Sequence, residues 1–207
     1  MNSIALFGGT FNPIHCGHLT IAEEVRTRFK LDKVIFVPTF IPPHKNDTDL
    51  IDAHLRTIMV YLATVSNPSF EVSTFEVEKG GTSFTIDTVK YFRQNLGEQA
   101  KIYFILGADM LMEIASWKNI RELLSLCHFI AVPRPGFDVQ KILKQYFLTA
   151  KDCEFSSELL EKVSVEELPM FDISSSDIRR RVREWKSIKY LVPETVEDFI
   201  HNQKIYL

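Results

Sequence analysis

Short apolar stretches of strand length alternate along the chain with longer segments whose apolar residues recur every three or four positions. The apolar stretches are residues 4–7, 34–37, 70–75, 102–106 and 129–132. The segments with helical spacing are residues 19–29, 50–65, 84–96 and 110–125. Strands that alternate with helices build a mostly parallel sheet with helices packed on it. The sequence therefore predicts an α/β fold with a doubly wound, mostly parallel sheet.

The carboxy-terminal part is predicted to be a helical cap on the same domain. Residues 137–162 contain no glycine and are predicted to be helical, with a strand following at residues 163–168. Serines that can cap a helix precede residues 178–185, and Pro193 is suited to open a last short helix. With 207 residues, 45% of them hydrophobic, one domain covering residues 1–207 is expected.

Charge and cysteine content restrict the class of partner and the compartment. A net charge of -3 and a pI near 6.1 give no broad basic surface, so no nucleic-acid partner is expected. The three cysteines, Cys16, Cys127 and Cys153, form no CxxC pair, which indicates neither a disulfide framework nor a zinc cage. Neither a signal segment nor a membrane span is predicted, so the expected location is cytoplasmic. These features do not exclude a homo-oligomer.

A glycine-rich turn follows the first predicted strand, at residues 8–18 with the sequence GGTFNPIHCGH. In open α/β sheets, ligands bind in loops at the carboxyl ends of strands. Gly8 and Gly9 allow the backbone to approach a phosphate closely, and the following helix offers N–H groups to an anion. A tight turn that needs glycine only for its geometry is the alternative. The turn is a candidate phosphate site.

Two histidines in this turn favour phosphate chemistry over a simple turn. His15 and His18 are three residues apart, so near a helix start both rings can face the same side. Two imidazoles there can donate hydrogen bonds to phosphate oxygens as charge develops. No HExxH helix or cysteine cluster supports a metal site, and neither a GxxxxGK[ST] nor a GxGxxG motif is present. Nucleotidyl transfer is the hypothesis that remains strongest.

A second candidate anion site lies at residues 171–179, with the sequence FDISSSDIR. Any one of the serines can be a simple helix cap. Three serines followed by Arg179 in the first turn bring hydroxyls, backbone amides and a guanidinium together, which exceeds what a cap requires. The neighbouring Arg180, Arg181 and Arg183 are expected to be solvated.

Both segments resemble motifs of the nucleotidyltransferase superfamily that carries HxGH. The first, GGTFNPIHCGHL, is similar to bacterial nicotinate-nucleotide adenylyltransferases, with Asn12 where many members have Asp. The second resembles ISSTxIR, with Ser176 in place of Thr. The resemblance implies a Rossmann-like fold, Mg²⁺ that accompanies ATP, and no metal held by the protein itself. It implies ATP binding by Gly8, Gly9, Thr10, Phe11, His15, His18, Ser175, Ser176 and Arg179. The implied catalytic residues are Thr10, His15, His18 and Arg179.

Three further segments resemble the acceptor side of the nicotinate-nucleotide adenylyltransferases. They are a PPHK loop after the second strand, SFTIDT at residues 83–88, and LGAD at residues 106–109 followed by a tryptophan. They imply that AMP passes from ATP to nicotinic acid mononucleotide, giving nicotinic acid adenine dinucleotide and pyrophosphate in NAD biosynthesis. The implied acceptor-binding residues are His44, Lys45, Thr85, Asp109 and Trp117.

Several single residues keep simpler interpretations beside this one. His44 can belong to an ordinary solvated loop, and a tryptophan on a helix is more often part of the core, as is expected of Trp185. Thr82 or Ser83 can be a helix cap. Arg134 in an RPG turn is a weaker candidate on the nucleotide side.

Two rival functions use the same phosphate motifs. A phosphopantetheine adenylyltransferase shares both of them, but it is shorter and lacks the PPHK and LGAD…W patterns. A nonenzymatic nucleotide-binding sensor would keep the pocket without turnover, and the presence of both histidines and of Arg179 speaks against it.

Overall fold

A six-stranded parallel sheet forms the centre of the computed structural model, which describes residues 3–42, 49–132, 141, 153–165 and 172–207. Its strands run in the order β3-β2-β1-β4-β5-β6, and the five pairings between neighbours are all parallel. The bounds are β1 Ser3–Gly9, β2 Lys33–Pro38, β3 Phe70–Val72, β4 Lys101–Gly107, β5 His128–Val132 and β6 Val163–Val165. The predicted α/β, Rossmann-like fold is confirmed.

Helices cover both faces of this sheet. They are α1 Cys16–Arg28, α2 Ala53–Thr64, α3 Phe75–Lys79, α4 Thr85–Leu96, α5 Ala108–Leu111, α6 Ile120–Leu126, α7 Cys153–Lys162, α8 Ser175–Arg183 and α9 Glu194–Asn202. A 3₁₀ turn spans Ile114–Ser116. Successive strand residues point to opposite faces. In β1, Ala5 and Phe7 accordingly join the core under α1, α2, α8 and α9, whereas Ile4 and Leu6 join the core under α4, α6 and α7.

The strand order places a crevice between β1 and β4. Chain order reverses there, because β2 and β3 lie beyond β1 on one side and β5 and β6 lie beyond β4 on the other. Ligands in open α/β sheets bind outside the carboxyl ends of the strands at such a switch point. The glycine turn leaves β1 at this edge, and Gly107 ends β4 beside it.

The third predicted strand is shorter than expected. Only Phe70–Val72 pairs with β2, and Phe75 is already the first residue of α3. The Ser73 N–H donates to the Phe36 carbonyl at 2.9 Å, after which the chain turns into the helix. Phe75 then packs its ring on Tyr91 of α4 at 4.1 Å between centroids. Its hydrophobicity therefore serves a helix contact and not the sheet.

The helix predicted over residues 110–125 is wrong as a single element. Its span holds the end of α5, the 3₁₀ turn and α6 in succession. Asn119 has a φ of 52°, and this left-handed conformation cannot lie inside an α-helix. Helix α2 also begins later than predicted, because the Asp52 side chain accepts from the N–H of His54 at 2.8 Å and caps its first turn.

Trp185 corrects the expectation that it belongs to the core. Its side chain is 81% exposed, its φ is 54°, and it lies just after the end of α8.

Helices α8 and α9 pack on the same core as α1 and α2, as the predicted helical cap requires. Within the described ranges, no helix has both the length and the hydrophobicity needed to cross a bilayer.

Candidate functional site

The glycine turn is closely packed at the carboxyl end of β1. A Cβ on Gly9 would lie 2.8 Å from the Phe11 ring, and a Cβ on Gly8 would lie 3.0 Å from the Phe104 ring. Phe11 itself adopts a φ of 47° and is buried. The two glycines are therefore required so that the backbone can turn directly under these rings. This close packing fixes the path of the loop that the sequence assigns to ATP.

His15 and His18 lie side by side at the start of α1, as their spacing predicted. Their rings stack with centroids 3.6 Å apart and an angle of 25° between the planes. The edges of Phe7 and Phe11 contact the His18 ring, with centroids 5.9 and 5.1 Å away. A Cβ on Gly17 would lie only 3.1 Å from Nδ1 of His15. The third residue of HxGH thus leaves the space that the His15 ring uses.

A backbone hydrogen bond assigns the tautomer of His18. The His15 N–H donates to Nδ1 of His18 at 3.2 Å. Because Nδ1 accepts, a neutral imidazole must carry its proton on Nε2. That N–H is the donor that a phosphate oxygen needs. The same bond caps the start of α1. The His18 side chain therefore uses Nδ1 for the cap, and its Nε2–H can donate to a ligand.

Hydrogen bonds join the second motif to the glycine turn. The Ser175 hydroxyl donates to the Pro13 carbonyl at 2.8 Å, and Nη1 of Arg179 donates to the Asn12 carbonyl at 2.9 Å. Asp49 lies on the other side of Arg179, with 3.7 Å between its Oδ2 and Nη2. Arg179 is only 7% exposed. The fold therefore brings the two predicted phosphate motifs, more than 160 positions apart, into direct contact.

The amino end of α8 is directed at this contact. Ser174 is the N-cap, and its hydroxyl accepts from the Asp177 N–H at 3.1 Å. Ser175 and Ser176 are then the first two helical residues, whose N–H groups have no acceptor within the helix. Because Ser175 donates its hydroxyl proton to Pro13, it can offer a phosphate its backbone N–H and not that proton. Ser176 is exposed.

The arginines after Arg179 lie at the surface, as predicted, but each is paired. Arg180 and Arg181 both contact Asp177, and hydrogen bonds from Arg181 and then Arg180 hold the pKa of Asp177 below its ordinary value. Nη2 of Arg183 lies 2.8 Å from Asp49, and this contact lowers the pKa of Asp49. These pairs neutralise most of the helix's positive charge outside the site.

Thr85 is the first residue of α4, close to the loop that follows β2. The alternative of a cap at Thr82 or Ser83 is not found: Phe84 occupies the N-cap position, and the Ser83 hydroxyl accepts from the Phe40 N–H at 3.1 Å. The Ser83 N–H donates to the Ile41 carbonyl at 3.0 Å. The start of α4 is thus tied to the segment that leads into the PPHK loop. His44 and Lys45 lie outside the described residues, as does Arg134.

Asp109 and Trp117 follow β4 at the same edge of the sheet. Asp109 is in α5, whose N-cap is Gly107, and Trp117 follows the 3₁₀ turn. The Trp117 ring is partly buried and meets Phe104 and Phe129 edge-on, each at 6.2 Å between centroids. The alternative of a core tryptophan therefore holds in part. Its contact with the core also gives the ring a fixed orientation, which a stacking platform needs.

Named relatives align with this sequence over nearly its whole length. A family model described as cytidylyltransferase-like matches residues 6–181. A Moorella thermoacetica protein named "probable nicotinate-nucleotide adenylyltransferase" is 46% identical over 203 residues, which are 98% of this chain and 91% of that protein. A Clostridium novyi protein of the same name is 39% identical and is covered completely, as is this chain. The chain belongs to the nicotinate-nucleotide adenylyltransferases.

The fold of this nicotinate-nucleotide adenylyltransferase family member also matches solved structures. Plasmodium falciparum nicotinic acid mononucleotide adenylyltransferase complexed with NaAD superimposes with a TM-score of 0.78, at 22% identity. The match covers 100% of this chain and 98% of that one. The same enzyme complexed with APC gives a TM-score of 0.76 at 20% identity. At such identities the likeness establishes the fold.

Two buried residues of this adenylyltransferase were not found from the sequence. Arg56 has no exposed surface and donates to three backbone carbonyls around the site. It stands on the buried face of α2 with Met59 and Val60. A charged residue in an apolar stripe is a signal that could have been used. Tyr206, whose hydroxyl contacts Asn12, has no such signal because its role depends on the folded chain.

The described parts of this adenylyltransferase contain no group of three or more His, Cys, Asp or Glu residues arranged to hold a metal ion. His15 and His18 are close together, but no carboxylate or thiol joins them in such a group. Burial raises the pKa of the Cys16 thiol between them, which does not favour a nucleophilic thiolate there. The described residues therefore supply no such cluster for a metal ion.

Proposed function

We propose that this chain transfers AMP from ATP to nicotinic acid mononucleotide, giving nicotinic acid adenine dinucleotide and pyrophosphate, a step of NAD biosynthesis. The observation that carries the proposal is the contact between the two motifs. Ser175 and Arg179 hold the backbone of the turn that carries the histidine pair. The proposed location is the cytoplasm, where ATP is available.

The proposed reaction is an in-line displacement at the α-phosphorus of ATP. A phosphate oxygen of the acceptor forms the new P–O bond, and the bond to the bridging oxygen of the β-phosphate breaks. The electron pair leaves with pyrophosphate. This reaction needs alignment of the reactants and neutralisation of charge more than an acid or base. In this proposal His18, with its proton on Nε2, and His15 donate to the α-phosphate as its charge increases, and Thr10 contacts the same phosphate.

The leaving pyrophosphate is assigned to the amino end of α8. The backbone N–H groups of Ser175 and Ser176 and the positive end of the helix dipole favour an anion there. Arg179 adds a guanidinium, of which one nitrogen is used by the Asn12 carbonyl and the other lies near Asp49. The β- and γ-phosphates would compete with Asp49 for that second nitrogen.

Mg²⁺ enters the proposal as part of the substrate MgATP. Because the described residues supply no cluster of metal ligands, the ion would be bound by phosphate oxygens and water. Bound in this way, it would neutralise phosphate charge. The residues of the chain position the phosphates around it.

The acceptor is assigned to the carboxyl edge of the sheet, where Asp109 and Trp117 follow β4 and Thr85 begins α4 close to the loop after β2. His44 and Lys45 are proposed to contribute positive charge from the loop after β2. Support comes from the hydrogen bonds that tie the start of α4 to that loop and from the fixed orientation of the Trp117 ring. The identity of the relatives over almost the full chain supports the choice of nicotinic acid mononucleotide.

A pyrophosphate-release assay with a panel of acceptors tests the proposal. The enzyme receives MgATP with nicotinic acid mononucleotide, nicotinamide mononucleotide, phosphopantetheine or no acceptor. We expect release with the first and a dinucleotide product in equal amount. Release with phosphopantetheine alone would overturn the acceptor assignment. Tight binding of ATP without release for any acceptor would indicate a nucleotide sensor.

Comparison of nicotinamide mononucleotide with nicotinic acid mononucleotide shows how the enzyme recognises the substituent on the pyridine ring. A carboxylate only accepts hydrogen bonds, whereas the amide turns an NH₂ group toward one of the donors and leaves it unpaired. Such a loss costs ~1–3 kcal/mol, so kcat/KM should favour the acid by roughly tenfold to several hundredfold. Equal kcat/KM for the two mononucleotides would contradict a carboxylate pocket. Trp117→Ala should lower kcat/KM for both, because ring stacking does not depend on the substituent.

A further inference from the structure

We propose that Arg56 is a positioning residue, which sets the distance between the turn assigned to ATP and the loop assigned to the acceptor. The inference rests on the proposed function, since it assumes that the two loops hold the two reactants. Arg56 contacts neither reactant in this proposal. It acts through the backbone of both loops.

The contacts of Arg56 reach three separate segments of the chain. Nη1 donates to the Thr10 carbonyl at 2.7 Å, and Nη2 donates to the Phe40 carbonyl at 3.0 Å. Nε donates to the Ile51 carbonyl at 3.1 Å, just before the start of α2. One rigid, planar guanidinium therefore connects the turn after β1 with the loop after β2. The geometry of the guanidinium fixes the separation between the two carbonyls.

Burial and charge show that this contact is costly to form. Arg56 has no exposed surface, and desolvation lowers the pKa of its guanidinium despite the opposing influence of Tyr206, Asp52 and Glu76. Loss of the guanidinium would leave three backbone carbonyls without this donor, and a buried acceptor left unpaired costs ~1–3 kcal/mol. Arg56 therefore stabilises the fold as well. Its bonds to both loops mark it as a positioning residue, and the experiment separates this effect from the loss of stability.

The bond to Thr10 also orients a peptide of the phosphate turn. The C=O and N–H of a trans peptide point in opposite directions. Because the Thr10 carbonyl is directed to Arg56, the N–H of Phe11 is directed away from α2. Loss of the guanidinium would free this peptide to rotate. Rotation would let the turn shift relative to the loop after β2.

The Phe40 segment is held from a second direction by Ser83. The Ser83 hydroxyl accepts from the Phe40 N–H, while Arg56 donates to the Phe40 carbonyl. Both sides of the segment are thus fixed, one by α2 and the other by the residue before α4. If the spacing of the loops matters, weakening either contact should impair the reaction in the same way.

An in-line displacement is sensitive to such spacing. A displacement of about 1 Å between reacting groups can lower the rate ~10²-fold, while each reactant still binds to its own loop. The expected signature is a loss in kcat with little change in the affinity for ATP alone. Substitution of a residue with a purely structural role would lower the melting temperature without lowering kcat selectively over the affinity for ATP.

Arg93 supplies a matched control at the other end of the sheet. Its guanidinium also donates to backbone carbonyls, including Ala100 at 2.6 Å, and it stands near the carboxyl end of α4, before β4 begins. We would compare Arg56→Lys and Arg56→Met with Arg93→Lys and Arg93→Met. Lysine keeps the charge but cannot reproduce the planar fork.

For each variant we would measure the melting temperature, the affinity for ATP alone by calorimetry, and kcat and KM for both substrates. At comparable losses of melting temperature, Arg56→Lys should lower kcat roughly 30- to 100-fold more than Arg93→Lys. Its dissociation constant for ATP alone should stay within about threefold of the parent value. Equal losses of kcat in the two Lys variants would overturn the proposal.

Ser83→Ala decides the question if the Arg56 variants fail to fold. This substitution removes the Ser83 hydroxyl that accepts from the Phe40 N–H. It should lower kcat about tenfold and leave the affinity for ATP unchanged. Ser125→Ala, on an exposed part of α6, is its control. Unchanged kcat in Ser83→Ala would also overturn the proposal. If the parent enzyme releases no pyrophosphate with any acceptor, the proposed function itself is wrong.

Discussion

The hydroxyl of Tyr206 donates a 2.9 Å hydrogen bond to Oδ1 of Asn12, a residue 194 positions earlier in the chain. Asn12 in turn donates from Nδ2 to the Asp49 carbonyl at 3.0 Å and accepts from Arg179 at its own carbonyl. Burial raises the pKa of the Tyr206 phenol, so the group remains a donor. The turn that carries HxGH is therefore held by the carboxy-terminal segment, by α8 and by the segment before α2.

Tyr206→Phe should destabilise the fold and impair the turn. The substitution leaves the buried Oδ1 of Asn12 without its donor, which costs ~1–3 kcal/mol. Urea unfolding should show this loss, and kcat should fall with it. Tyr190→Phe is the control, because Tyr190 is 84% exposed and should change the free energy of unfolding by less than about 0.5 kcal/mol. Equal stability of both variants would show that the Tyr206 bond contributes nothing.

His18→Ala should abolish most turnover while ATP still binds. Removal of one donor to the developing charge typically lowers kcat ~10²–10³-fold. Steady-state kinetics with a calorimetric titration of ATP measures both quantities. His201→Ala, at the exposed end of α9, controls for the loss of an imidazole. A His18→Ala enzyme within a few-fold of the parent kcat would remove His18 from the catalytic group.

Gly17→Ala should separate stability from activity. In a helix interior Ala is favoured over Gly by roughly 1 kcal/mol, and such a gain at Gly17, the second residue of α1, would offset part of the cost of moving a buried ring. The free energy of unfolding should therefore change by less than about 1 kcal/mol. The new Cβ would lie 3.1 Å from Nδ1 of His15, and the ring, which is buried and stacked on His18, must shift. We expect a loss in kcat of about tenfold or more.

The matched control for this substitution is Gly97→Ala, where the position has a φ of 79° and no atom within 4 Å of an added Cβ. That variant should lose stability from backbone strain and keep its kcat. If Gly17→Ala kept the parent kcat, the close approach of His15 would have no bearing on the reaction.

The sequence predicted those parts of the fold whose signal is local. Strands β1, β2, β4 and β5 are buried on both faces, so each appears as a continuous apolar run. The end of β3 and the break at Asn119 could not be predicted, because they depend on where Phe75 packs and on one left-handed residue. Tertiary contacts decided both.

The same distinction applies to the candidate site. Its two phosphate motifs are each continuous in sequence, so each could be recognised there, and the structure shows that Ser175 and Arg179 of the second contact the turn of the first. Arg56 and Tyr206 act through carbonyls and amides of distant segments, which no motif records. Such residues become visible only when the contacts of the backbone are known.

Arg179→Ala should raise KM for ATP and lower kcat together. The guanidinium is assigned to the leaving phosphates, and it also holds the Asn12 carbonyl. Arg180→Ala, one position later and exposed, controls for the loss of a positive charge from α8. Kinetics at varied ATP concentration gives both constants. Unchanged ATP kinetics in Arg179→Ala would leave Arg179 with a structural role only.

Glu76→Gln should stabilise the protein increasingly as the pH rises. Burial raises the pKa of the Glu76 carboxyl above its ordinary value of 4.5, while hydrogen bonds from Thr88 and Ser83 and the charge of Lys79 oppose this only in part. A raised pKa means that the folded state holds its proton more tightly than the unfolded state. The stability linked to this proton is complete below pH 4.5 and is lost as the pH rises through the folded pKa.

Glutamine does not titrate and can still accept from the Thr88 hydroxyl, which lies 2.5 Å from Oε1. The melting temperature of Glu76→Gln relative to the parent should therefore increase from pH 4.5 to pH 7.5. Glu78→Gln, on the exposed side of the same short helix, removes an equal charge and should not reproduce the increase. A constant difference between Glu76→Gln and the parent across this range would mean that Glu76 is ionised in the folded protein as readily as in the unfolded chain. The buried carboxyl would then be stabilised by its donors as fully as it is by water.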